Sequence, residues 1–290
     1  MKKSRKLATL GICSALFLGL AACQQQHATS EGTNQRQSSS AKVPWKASYT
    51  NLNNQVSTEE VKSLLSAHLD PNSVDAFFNL VNDYNTIVGS TGLSGDFTSF
   101  THTEYDVEKI SHLWNQKNGD FVGTNCRINS YCLLKNSVTI PKLEKNDQLL
   151  FLDNDAIDKG KVFDSQDKEE FDILFSRVPT EATTDVKVHA EKMETFFSQF
   201  QFNEKARMLS VVLHDNLDGE YLFVGHVGVL VPADDGFLFV EKLTFEEPYQ
   251  AIKFASKEDC YKYLGTKYAD YTGEGLAKPF IMDNDKWVKL

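Results

Sequence analysis

Near residue 208 the hydrophobic pattern of this chain changes period, and that change restricts the fold more than any other feature. Residues 208–214, 220–231 and 237–245 are apolar, β-branched and aromatic runs separated by the turn segments DNLDG (215–219) and PADDG (232–236). Strands joined by such short connections pair as an antiparallel meander. Upstream the apolar residues instead recur at helical spacing: Val61, Leu64, Leu65 and Leu69; Val74, Phe77, Phe78 and Val81; Val107, Ile110, Leu113 and Trp114; Met193, Phe196, Phe197 and Phe200. Helices followed by a consecutive sheet predict an α+β fold, with an N-terminal helical part packed on an antiparallel sheet.

Local signals place the boundaries. Ser57 with Glu60 has capping-box spacing, Pro71 stops the first helix, and a second runs from about Ser73. Gly89, Gly92 and Gly95 mark a loop. Residues 105–117 and 188–203 read as further helices, and 149–152 as a short strand leading into an acidic loop. In that loop Asp153, Asp155 and Asp158 offer oxygen ligands, but the glycine and terminal glutamate of a calcium loop are missing. A solvated turn is expected there, with no metal and no cofactor.

The N-terminus reads as an address. Residues 1–6 (MKKSRK) are basic, residues 7–20 are apolar, and Leu20, Ala21, Ala22 and Cys23 follow. The apolar stretch falls short of the roughly 20 residues of a membrane span and has the form of a secretory signal. Small residues before a cysteine resemble a bacterial lipobox. Residues 1–22 are therefore expected to be a lipoprotein signal peptide, and Cys23 to carry diacylglycerol as a stable two-chain anchor. Residues 23–47 hold almost nothing apolar larger than alanine at first and read as a flexible tether. Residues 48–290 read as one α+β domain, exported and held at the outer face of the cell membrane. A Lys to Arg ratio of 25 to 5 agrees with an AT-rich, Gram-positive source.

Charge narrows the partners. The chain carries 30 basic and 40 acidic residues, and four of the basic ones lie in the first 22 positions. An acidic body lacks the clustered cations that neutralise phosphates, so nucleic acid is not an expected partner. Three cysteines remain beyond the lipobox: Cys126, Cys132 and Cys260. An odd, sparse set does not make a disulfide framework. A bridge between Cys126 and Cys132, six apart on a helix, is disfavoured, and one between Cys132 and Cys260 stays open.

One of these thiols has the surroundings of a nucleophile. GTNCR (123–127) precedes an apolar stretch, so Cys126 is expected in the first turn of a helix, where free N–H groups favour a thiolate. An ordinary thiol, with pKa about 8.5, is only slightly ionised at neutral pH. About a hundred residues on, GHVGV (225–229) sets His226 inside an apolar strand. Taking Val231 opposite Gly236 pairs position 226 with Glu241 across the ladder, whereas a slip of one residue breaks that contact. Cys126, His226 and Glu241 then follow the order nucleophile, base, orienter.

GTNCR, GHVGVLV (225–231), FVEKLTFEEPYQAIKF (239–254) and KPFIMDND (278–285) resemble a lipoprotein family, domain of unknown function 4300, over nearly the whole body. More distantly, the helix-borne cysteine and the strand histidine resemble the papain-like, NlpC-type cysteine hydrolases. That likeness implies a papain-like core, amide cleavage with cell-wall peptides as substrate, and an oxyanion hole made by the Cys126 N–H and the Asn125 side chain. The Asp-Cys-Ser-Gly motif of that group is replaced here, since Asn125 and Arg127 flank the cysteine. The competing expectation is a catalytically silent binding lipoprotein.

Overall fold

The computed structural model describes residues 46–100 and 103–290. The signal segment, Cys23 and the tether up to residue 45 lie outside the described residues. Eight α-helices are described: α1 (Gln55–Ser66), α2 (Pro71–Val88), α3 (Val107–Asn118), α4 (Cys126–Leu134), α5 (Phe151–Gly160), α6 (Ser165–Leu174), α7 (Val186–Phe197) and α8 (Lys257–Lys267). The strands are β1 (Ala47–Thr50), β2 (Thr98–Ser99), β3 (Val138–Thr139), β4 (Val178–Pro179), β5 (Gln201–Phe202), β6 (Arg207–Asp215), β7 (Tyr221–Ala233), β8 (Gly236–Lys242), β9 (Tyr249–Phe254), β10 (Phe280–Asp283) and β11 (Lys286–Val288). The protein is α+β, and no described helix is long and apolar enough to cross a membrane.

The expected meander β6, β7, β8 is the centre of a nine-stranded antiparallel sheet ordered β11, β10, β6, β7, β8, β9, β1, β2, with β4 paired to β7. β3 and β5 form a separate ladder. Helix α4 lies against β7 and β8, and α2 packs on α4. Phe77, Val81, Ile128 and Tyr131 from these helices join Val227, Val229 and Val240 from the sheet in one core. Burial of such side chains contributes about 25 cal/mol per Å² of apolar surface and holds the helical layer to the sheet.

Several boundaries differ from the sequence reading, each for a local reason. Helix α1 is capped by Asn54, whose side chain accepts from Ser57 N–H. Ser57 is itself buried and donates to the Gly95 carbonyl at 2.6 Å. Pro71 opens α2, as its fixed φ allows at a first helical position, with Asp70 as cap. Val107 begins α3 on the exposed side. The 188–203 helix instead spans Val186–Phe197.

The largest difference is at 149–152. This stretch is not a strand but the turn into helix α5, and the acidic loop after it is the body of that helix. Asp153, Ala156 and Ile157 are its buried side, with Leu150 buried just before it, a helical period that a four-residue apolar run cannot reveal. Asp155 and Asp158 pair instead with Lys159 and Lys168, and no group of three or more His, Cys, Asp or Glu among the described residues could hold a metal ion.

Candidate active site

Cys126 is the first residue of α4, as its setting predicts. The Asn125 side chain caps the helix, accepting from Ile128 N–H at 3.1 Å, and α4 is too short and too weakly amphipathic to start reliably without such a cap. Asn129 reinforces the turn, donating to the Asn125 carbonyl and to Thr124 Oγ1. Asn125 Nδ2 donates to Asp153 at 2.7 Å. Its amide oxygen thus serves the cap and its amide nitrogen serves α5.

His226 lies in β7 between two close approaches. A Cβ at Gly225 would stand 2.3 Å from Leu213 Cδ1, and one at Gly228 would stand 2.3 Å from Phe239 Cζ and 2.8 Å from the Val240 carbonyl. The β6 ladder shifts here, with Val212 opposite Val224 but Val211 opposite His226. Gly225 is the extra residue of this bulge, and a bulge re-aims the side chain that follows it.

The hairpin between β7 and β8 is tighter than the sequence suggests. Ala233 pairs with Gly236 and Val231 with Leu238, a displacement of two residues from the expected register. Two residues preserve which face each side chain occupies. His226 and Glu241 therefore stay on one face as diagonal neighbours, and His226 Nε2 meets Glu241 Oε2 at 2.5 Å. The ladder with β8 ends at Val229 and Val240, and that with β4 covers only Leu222 and Tyr221. Between them β7 has a strand neighbour on the β6 side alone, and α4 serves this stretch: Arg127 and Ser130 donate to the carbonyls of Val224 and Val227.

The three residues named from sequence are thereby brought together. Cys126 has no exposed surface, and His226 and Glu241 are each 1% exposed. Nε2 of the imidazole is engaged by Glu241, and Nδ1 has no oxygen or nitrogen partner. Nδ1 is thus the ring nitrogen left for the Cys126 thiol, whose hydrogen bond and charge both act on the ring. Burial opposes protonation of His226, but Cys126 and Glu241 together outweigh it and raise its pKa above the ordinary value. For Glu241 burial is likewise the largest influence, yet the Lys267 charge and hydrogen bonds from His226 and Tyr263 hold the carboxyl down to about 2.

Helix α8, for which the sequence reading made no assignment, supplies the second layer of the site. Tyr263 donates to Glu241 Oε1 at 2.5 Å, and Lys267 donates to the Tyr263 hydroxyl at 2.8 Å. Just past the helix, Tyr268 stacks on the His226 ring at 4.8 Å and 24°. A cue was present: Ser256 with Asp259 has the capping spacing of a helix start, and Ser256 does cap α8.

Lys242, also unassigned, is buried on β8. It donates to the carbonyls of Thr244, Phe245 and Glu247 and lies 4.1 Å from the Tyr84 ring centroid. Burial lowers its pKa to about 7 against the opposing pull of Glu246, Glu247 and Cys126. The loop it holds, with Tyr84, Trp114 and Val122, borders a cleft of about 140 Å³. Val122 belongs to the segment that leads into α4, and Gly123 beside it packs on Trp114. None of the three described cysteines is in a disulfide, so Cys132 and Cys260 are unbridged, and burial pushes Cys132 up to about 12 and Cys260 well above the usual thiol range.

Fold and site together define an α+β protein with a buried thiol, imidazole and carboxylate in line. The profile described as Domain of unknown function (DUF4300) matches residues 48–288, so the chain belongs to that family. No curated protein and no solved structure gives a match.

Proposed function

We propose that this protein is a lipid-anchored, cell-surface thiol hydrolase of papain-like, NlpC-type character that cleaves amide bonds, with cell-wall peptides as its substrate class. The observation that carries this reading is the buried His226 ring, whose Nε2 meets Glu241 and whose protonated form Cys126 and Glu241 both favour. A histidine that is merely packed in a core has no need of both a thiol and a desolvated carboxylate.

The chemistry follows from the geometry. His226 Nδ1 takes the Cys126 proton, and the carboxylate at Nε2 fixes the tautomer and stabilises the imidazolium. The sulfur attacks the amide carbonyl carbon, and first-turn N–H groups of α4 receive the developing oxyanion. The C–N bond breaks and the amine departs with the proton from His226. Water, deprotonated by the same imidazole, then hydrolyses the thioester and restores the thiol. Export and anchoring through Cys23 put this activity next to the cell wall, which favours peptide stems over cytoplasmic substrates.

The test is site-resolved alkylation of the tether-free body by iodoacetamide across pH, with mass spectrometry, on wild type and His226→Ala. Cys126 is expected to react well below pH 7 and to lose that reactivity without His226, while Cys132 and Cys260 stay inert. A Cys126 as inert as the other two in the native protein refutes the enzyme reading. The complete burial of Cys126 favours a second reading, a binding lipoprotein without catalysis. In that case Cys126→Ser leaves function in the cell intact. For the anchor, palmitate labelling of the full chain is expected in wild type and absent in Cys23→Ala.

A further inference from the structure

Arg127 and Asp153 form a buried pair that touches every element of the proposed site except β8 and α8. Arg127 Nε and Nη2 donate to the two oxygens of Asp153 at 2.9 and 2.7 Å, a bidentate fork. Its third nitrogen, Nη1, donates at 3.0 Å to the carbonyl of Val224, two residues before His226. Asp153 in turn accepts from the amide of Asn125, the residue that caps α4 immediately before Cys126. One guanidinium thus ties the thiol's helix to the imidazole's strand, and one carboxylate ties the cap to α5. Asp153 has no exposed surface, and the Arg127 side chain is 11% exposed.

We propose that Arg127 and Asp153 are positioning residues that set the distance between the Cys126 thiol and the His226 imidazole. The inference rests on the thiol hydrolase reading and deepens it. Three features exclude a generic surface ion pair. The fork is planar and bidentate, which lysine cannot reproduce. It spans the β7 stretch that has a strand on one side only, where the Val224 carbonyl has Arg127 as its donor. And the same Asp153 oxygen, Oδ1, that receives the Arg127 Nε also receives the Asn125 amide, so displacing the arginine disturbs the cap of the helix that begins at Cys126. Charged groups already acting at Cys126 from other elements are His226 on β7 and Lys242 on β8. Arg127 is distinguished from them by what it holds in place.

Geometry and charge separate cleanly in experiment. Arg127→Lys keeps the positive charge beside Cys126 but cannot bridge Asp153 and Val224 together. Asp153→Asn keeps the shape and an acceptor for Asn125 but removes the second charged oxygen. The pH profile of Cys126 alkylation is read for each variant against wild type, with Cys132 and Cys260 as internal reporters of folding. Both variants are expected to lose at least tenfold of the Cys126 rate at pH 6 while Cys132 and Cys260 remain protected. If Arg127→Lys alkylates like wild type, the positioning role is overturned and the hydrolase reading stands. If wild type itself shows no reactivity below pH 7, both fall together. Should Asp153→Asn expose all three thiols, it has unfolded, and the lysine variant alone decides.

Discussion

Replacing Glu241 by glutamine removes the charge on which His226, Tyr263 and Lys267 converge while keeping the side chain's length. In the folded protein this carboxyl is held at about 2, against an ordinary value of 4.5. At about 1.4 kcal/mol per pH unit, that difference corresponds to stability on the order of 3 kcal/mol. The sign is that of a depressed acid: the contribution is fully present above pH 4.5 and disappears as the pH falls toward 2, where the folded protein must take up the proton as well. Urea unfolding of the tether-free body at pH 6, 4, 3 and 2, on wild type and Glu241→Gln, isolates the effect, because every other carboxyl titrates in both proteins. The gap between the two is expected to be about 3 kcal/mol at pH 6 and to shrink steadily below pH 4.5. A gap that stays constant from pH 6 to pH 2 refutes the view that Glu241 is an ionised partner of the imidazole.

Other consequences can be measured on the same protein. Gly228→Ala places a methyl 2.8 Å from the Val240 carbonyl, which cannot swing aside, and is expected to cost about 1–3 kcal/mol of overpacking in urea or thermal unfolding. Gly225→Ala meets the Leu213 side chain instead and is expected to cost less; the reverse order would contradict the packing described. Asn125→Ala removes both the α4 cap and a donor to Asp153, with an expected loss of about 2 kcal/mol, whereas Asn125→Ser restores the cap alone and should recover about half. Lys242, held at about 7 by burial, stays neutral in the folded state between pH 7 and its ordinary 10.5 while the unfolded chain binds the proton. Wild-type stability should therefore rise relative to Lys242→Met across that window, and parallel pH curves for the two proteins would disprove it.

How far the sequence was legible depends on the range of the forces at each position. The first turn of α4 was readable because the apolar run after GTNCR acts locally, and its asparagine cap came to light only in the structure. The strands β6, β7 and β8 were readable because each is an apolar, β-branched and aromatic run bounded by turn residues. Helix α5 was missed: a run of four apolar residues fits a strand or a helix turn equally, and only the burial of Asp153 against Arg127 settles which. Helix α8 left a capping signal and little amphipathic contrast, since its inward residues include Cys260 and tyrosines rather than a leucine stripe.

Local pattern was enough for the α+β class, the cysteine at a helix start and the shared face of His226 and Glu241. The last survives a register displaced by two residues because side chains in a strand alternate with period two. Tertiary structure alone decided the rest: where β7 and β8 part, which lets α4 approach the imidazole, and how Arg127, Asp153, Tyr263 and Lys267 converge from distant segments. These contacts join residues 22 to 97 positions apart. No local propensity encodes a meeting over that separation, and only the burial of the common core brings the partners within hydrogen-bonding distance.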